Sequence, residues 1–185
     1  MKFSKIDKFW HSRIRKFGIH NLKGYKLITE TSRRITFQKS NKKCNKKIII
    51  DIFSNIGYLK NDKYHRKGDK PARFNLNYTY LMYYKNGKLH RKGDKPTTIT
   101  NNLICYQQNS KWHRNGNKPA EIDLLNGIFY YFKNNKLYKK IESNRIIYFD
   151  KNGKYHRSDN KPAIIYFNTG KQEFWKHGVY KYFKK

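Results

Sequence analysis

The chain has 185 residues, room for one domain with at most a short extension, and sets 43 Lys and Arg against 12 Asp and Glu, a formal net charge of +31. A field of that size calls for a polyanionic partner, while 16 Tyr, 12 Phe and 3 Trp are too many for a disordered basic tail. No apolar run reaches the ~18 residues of a membrane span, the start Met1-Lys2-Phe3-Ser4-Lys5 lacks the apolar stretch of a signal peptide, and two cysteines, Cys44 and Cys105, make neither a disulfide framework nor a zinc site. These features predict a protein that is not secreted and has no transmembrane segment, in a reducing compartment. The richness in Lys, Asn, Ile, Tyr and Phe is that of an AT-rich coding sequence, but such a bias does not explain the scarcity of Asp and Glu.

Residues 1–50 hold 15 Lys and Arg and 2 acids, an excess of basic charge over the rest of the chain. Ile6, Phe9, Trp10, Ile14 and Phe17 recur at helical spacing, with Ser4 and Asp7 as a capping pair and Gly18 as a stop. This predicts one short amphipathic helix over about residues 5–17, capping an open end of the structure that follows. Arg13, Arg15 and Lys16 fall largely off its apolar side and are candidates for phosphate contact. Arg33 and Arg34, and the run from Lys39 to Lys47 with Lys42, Lys43, Lys46 and Lys47, form the densest basic cluster. A solvated hairpin tip and a phosphate-binding loop both fit that run.

From residue 51 onward the chain repeats. Four segments align: Lys63-Tyr-His-Arg-Lys-Gly-Asp-Lys-Pro71, Lys88-Leu-His-Arg-Lys-Gly-Asp-Lys-Pro96, Lys111-Trp-His-Arg-Asn-Gly-Asn-Lys-Pro119 and Lys154-Tyr-His-Arg-Ser-Asp-Asn-Lys-Pro162. All 4 prolines lie in this motif, and Ala72, Thr97, Ala120 and Ala163 each follow one of them. Degenerate copies at Asn134-Asn135-Lys136-Leu137-Tyr138 and Lys176-His177-Gly178-Val179-Tyr180 bring the array to six units over residues 51–185. Each unit opens with an aromatic or β-branched run. A turn dipeptide such as Asn61-Asp62, Asn86-Gly87, Asn134-Asn135 or Asn152-Gly153 follows, then the His-Arg loop closed by Lys-Pro. Proline starts strands well and sits inside them badly, and the small residue after it points to close backbone approach. The prediction is a mainly β protein of stacked hairpin repeats, a meander or solenoid.

The motif aromatic-x-Asn-Gly-Lys-x-His-Arg-x-x-Asp-x-Pro-Ala resembles the short "NGxxHRxDGPA" repeats of giant-virus and large-phage proteins, which in turn resemble a divergent MORN-type β-hairpin repeat. The resemblance covers residues 56–180 and departs where Asp-Gly-Pro becomes Asp69-Lys70-Pro71, Asp94-Lys95-Pro96 or Asn117-Lys118-Pro119. It implies a MORN-like fold, a viral origin, and a place in the virion or the host-cell cytoplasm. It implies no common activity, although MORN-type repeats proper are linked to phospholipid and protein binding.

His65, His90, His113 and His156 recur at one register, as packing within a turn requires, whereas a metal site needs convergent ligands. The repeat arginines suit a loop-closing pair with the acid shortly after each: Arg66 with Asp69, Arg91 with Asp94, Arg157 with Asp159. Arg114 meets Asn117 there and is the arginine left for a ligand. Lys70, Lys95, Lys118 and Lys161, next to proline, have no such acid and form a row of like charge if the units stack. The aromatics mostly supply core, with a few outward Tyr available for base stacking.

These residues point first to a non-enzymatic protein that binds DNA or RNA through phosphate contacts with little sequence preference. The alternatives are a virion interaction protein meeting acidic proteins, and a binder of anionic membrane surfaces through the N-terminal helix. No cofactor or metal is called for, and no carboxylate pair, Gly-rich phosphate loop or nucleophile motif suggests catalysis.

Overall fold

The computed structural model describes residues 24–41 and 44–185, and the helix expected over residues 5–17 lies outside them. Among the described residues the regular structure is antiparallel β-strand throughout, without a helix. In the first of two compact units, Met1–Arg91, the strands are β1 (Lys26–Glu30), β2 (Arg34–Asn41), β3 (Cys44–Asp51), β4 (Asn55–Lys60), β5 (Lys63–Tyr64), β6 (Arg73–Asn75), β7 (Tyr80–Met82), β8 (Tyr84–Lys85) and β9 (Lys88–Leu89). Their sheet runs β1-β2-β3-β4-β6-β7, with β5 on β4 and β8 and β9 forming a hairpin of their own. β3 pairs with both β2 and β4, so the sheet passes through residues 50 and 51 without a break.

Alternation along each strand builds the core. Ile35, Ile50, Ile56, Phe74 and Leu81 stand in one register row across five strands. Ile35, Ile50 and Ile56 are essentially inaccessible, and Phe37 and Ile48 form a second buried row beside them. Burying such aliphatic side chains contributes roughly 1.5–3 kcal/mol each.

The second unit, Lys92–Lys185, holds β10 (Thr98–Thr100), β11 (Leu103–Cys105), β12 (Gln107–Gln108), β13 (Lys111–Trp112), β14 (Glu121–Asp123), β15 (Ile128–Lys133), β16 (Lys136–Ile141), β17 (Arg145–Tyr148), β18 (Ile164–Tyr166), β19 (Gln172–Lys176) and β20 (Val179–Lys184). These run β10-β11-β14-β15-β16-β17-β18-β19-β20, with β12 and β13 as a separate hairpin.

The repeat motif is the unit of construction in both. The residue after each proline is sealed: Ala72, Thr97 and Ala163 are 0% exposed and Ala120 is 1%. Ala72 accepts from Tyr58 N and donates to Met82 O, and Ala163 likewise joins Tyr148 to Glu173. A larger side chain there would push neighbouring strands apart, which is why the sequence places Ala or Thr at these positions. Asn61-Asp62, Asn86-Gly87, Asn109-Ser110, Asn134-Asn135 and His177-Gly178 all have positive φ at both residues, the type I′ geometry that matches strand twist. Asn152-Gly153 departs from this pattern, with only Gly153 at positive φ. Asp150 Oδ1 accepts from the amides of Asn152 and Lys154, which widens that loop by one residue.

Candidate nucleic-acid interface

Two sets of cations emerge from this frame, one tied into the repeats and one held at their tips. The tied set is a stack of cation on aromatic ring. The guanidinium of Arg66 lies 3.8 Å over Tyr58 and that of Arg91 lies 3.7 Å over Tyr83. In the second unit Arg114 lies 3.6 Å over Tyr106, Lys139 3.7 Å over Tyr131 and Arg157 3.9 Å over Tyr148. In the last repeat two rings meet instead, Phe174 and Tyr182, with centroids 4.4 Å apart. Each ring-to-cation step spans eight residues, except from Tyr148 to Arg157, where the wider Asp150 loop adds one. The ring is placed because the residue one before the cation donates its amide to the ring residue's carbonyl, as His65 does to Tyr58, His90 to Tyr83, His113 to Tyr106 and His156 to Tyr148.

The acids complete the stack in a way that corrects the spacing argument. Arg91 and Arg114, each lying over its ring, turn an edge to the acid in the loop of the preceding repeat. Arg91 binds Asp69 through Nε and Nη2, and Arg114 Nε binds Asp94 Oδ1 at 2.8 Å. Arg114 also donates to Pro119 O, so the arginine expected to be free for a ligand is held on three sides. Lys118, expected without an acid, binds Asp94 Oδ2 at 2.7 Å, and Lys161 stands 3.6 Å from Asp159. Arg114 and Lys118 together hold the Asp94 carboxyl down at about 2.

The histidines serve the same stacking. His65 Nδ1 accepts from Asn86 N in the next hairpin turn, and His113 Nε2 pairs with Asn115 Oδ1 in its own loop. His177 Nδ1 meets Asp150 Oδ2 at 2.8 Å, and its ring stacks on His156 at 4.1 Å. Among the described residues no group of three or more His, Cys, Asp or Glu converges on a metal-sized site. Burial and the Glu121 charge push the Cys105 thiol up to about 12, an inert state for a nucleophile.

The second set sits at the hairpin tips. Register places Lys60 opposite Lys63, Lys85 opposite Lys88 and Lys133 opposite Lys136, each pair bracketing a turn. In the first unit the row extends laterally, with Lys39 opposite Lys46 and Lys46 opposite Lys60. Successive tips are close: the Gly87 amide donates to Tyr64 O, and a Cβ on Gly87 would meet Lys63 Cβ at 3.4 Å. His65 beside them feels this field. Burial lowers its pKa first, and Lys60, Lys67 and Lys85 lower it further. In the second unit Lys133, Lys136 and Lys151 line an open pocket of about 430 Å³ together with Tyr138 and Phe149. These brackets were written in the sequence as Lys-x-x-Lys around each turn, but only strand register reveals that the two lysines oppose each other.

Of the remaining candidates, Arg33 lies exposed in the β1–β2 turn, and Arg34 opens β2 opposite Asp51. Lys46 joins the tip row, while Lys47 points to the other face and binds Asp62 at 2.5 Å. Lys70 and Lys95 are exposed in the loops that follow the first two His-Arg pairs. Arg13, Arg15, Lys16, Lys42 and Lys43 lie outside the described residues. No family model, curated protein or solved structure matches this chain.

Proposed function

We propose that this protein binds nucleic acid, DNA or RNA, through phosphate contacts with little sequence preference and without catalysis. The observation that carries this reading is the register of Lys46, Lys60 and Lys63, like charges directly opposite one another across neighbouring strands. Such pairs destabilise a sheet by themselves, and a phosphate backbone laid along the tips removes the cost while releasing its condensed counterions. The kinship with viral MORN-like repeats belongs to the same proposal and is supported by the four intact motifs.

The test is a salt titration of binding to mixed-sequence DNA and RNA. Six or more phosphate contacts predict an affinity loss of about a thousandfold between about 50 and 200 mM salt. Changing Lys60, Lys63, Lys85 and Lys88 together to Gln should lower the slope of log affinity against log salt by about one per lysine lost from contact. A slope the four changes do not alter refutes the tip assignment. Affinity indifferent to salt refutes the function. A protein partner retained after nuclease treatment would instead support the acidic-protein reading.

A further inference from the structure

Two of the stacked cations, Arg91 and Arg114, have an acid from the repeat before them, and the next two rungs, those of Lys139 and Arg157, have none among the described residues. Asn117 occupies the position that Asp69 and Asp94 hold in their loops, so Lys139 meets an amide oxygen at 3.1 Å where Arg114 meets a carboxylate. Glu142, four residues after Tyr138 as Asp69 is four after His65, is engaged by Lys140 and Arg145 on its own strand pair. Arg157 is left with no acid. It also lacks the bond to the loop proline carbonyl that Arg66 and Arg114 make, and among the described residues its five N–H donors have no acceptor. Its loop explains this: Asp159 takes the positive-φ place held by Gly68, Gly93 and Gly116, and its side chain is 75% exposed, away from the rung.

The two unmatched cations are neighbours. Lys139 stands in register opposite Tyr148, the ring on which Arg157 lies. Lys139 is only 9% exposed, so an ammonium that meets an amide oxygen and a ring but no carboxylate is held largely out of water beside a guanidinium. Burial lowers the Lys139 pKa first and the Arg157 charge lowers it further. A buried cation without an anion is costly, and the fold adds the half-buried Arg157 guanidinium beside this one. Tyr138 Oη and Lys139 both donate to Asn117 Oδ1, which leaves the Asn117 amide N–H groups as further donors.

We propose that Lys139, Arg157 and Asn117 form a binding site for a single phosphate group, which takes the place of the missing rung carboxylate. The planar guanidinium supplies a paired donor edge and the ammonium a point charge, a combination suited to a tetrahedral oxyanion. The site is separate from the hairpin tips and does not depend on them. Its phosphate comes either from the free ion or from a nucleic-acid backbone.

Asn117→Asp tests it without removing a cation, because it restores the carboxylate that Asp94 provides one repeat earlier. Thermal melts of the full chain are recorded with inorganic phosphate and with a short oligothymidylate, against chloride at matched ionic strength. The expected result is that phosphate raises the Tm of the parent protein, and that Asn117→Asp melts higher without phosphate and loses at least tenfold in phosphate affinity. Arg157→Gln should lose the response as well, and Lys60, Lys63, Lys85 and Lys88 changed together to Gln should keep it. Competition between oligothymidylate and phosphate assigns the backbone as the source, and response to phosphate alone assigns the free ion. A parent protein indifferent to phosphate, or an Asn117→Asp variant that still responds fully, overturns the proposal.

Discussion

Asp94 is held by Arg114, 20 residues ahead of it and in the loop of the next repeat, through an Nε–Oδ1 contact of 2.8 Å. Asp69 and Asp94 each reach forward in this way to the arginine of the following repeat. Asp94→Asn should therefore cost about 1 kcal/mol, because Arg114 and Lys118 would lose one shared partner. Asp159→Asn, which disturbs only the 3.6 Å approach of Lys161, should be nearly neutral. Urea denaturation midpoints of the two variants decide it, and equal losses would contradict the clasp.

The acid limb of stability follows from the same pairs. Asp94 is held at about 2 by Arg114 and Lys118, and Asp150 at about 2 by His177 and the amides of Lys154 and Asn152. Both lie below the ~3.9 of an unfolded Asp, so the native state gains from them above about pH 4 and loses that gain as pH falls toward 2. Acid unfolding followed by tyrosine and tryptophan fluorescence should show this loss between pH 4 and 2. The double change Asp94→Asn, Asp150→Asn should flatten it.

His65 reports on the tip lysines. Its folded pKa is lowered by burial, then by Lys60, so the unfolded chain takes up the proton first and stability falls as pH drops through 6.5 toward the folded value. NMR titration of the ring should give a pKa below 6.5. Adding DNA should move it upward, since phosphates beside Lys60 and Lys85 cancel the charges that depress it. A shift in the opposite direction would place the polyanion elsewhere.

The sealed residue after each proline makes a packing prediction. Ala163 is 0% exposed with both backbone groups bonded to neighbouring strands, so Ala163→Leu should cost about 1–3 kcal/mol by overpacking. Ala163→Thr should be better tolerated, because Thr97 fills the same place at 0% exposure. Thermal melts of the two variants compare them directly.

The hairpin architecture was legible because it rests on local chemistry: turn pairs such as Asn86-Gly87 and Asn134-Asn135 at left-handed φ, Pro at strand starts, Ala where backbones close up. The Tyr58–Arg66 and Tyr106–Arg114 stacks were hidden, although their eight-residue spacing recurs, because a hairpin must close before ring and cation meet. The partner of Arg114 was misjudged for a related reason. Asp94 and Arg114 lie in different loops, and only strand pairing brings those loops side by side. The Lys-x-x-Lys brackets were visible as letters, but the opposition of Lys60 and Lys63 is a fact of register.

A repeat that binds its predecessor with a cation and its successor with an acid is a self-complementary tile. Duplicating or deleting one whole tile re-forms the junction on either side with no charge stranded, so array length can drift while the surviving seams stay chemically intact. Point changes such as Asn for Asp at position 117 do what whole-tile changes cannot: they open a seam, and an open seam is where new ligand chemistry can enter an otherwise uniform array.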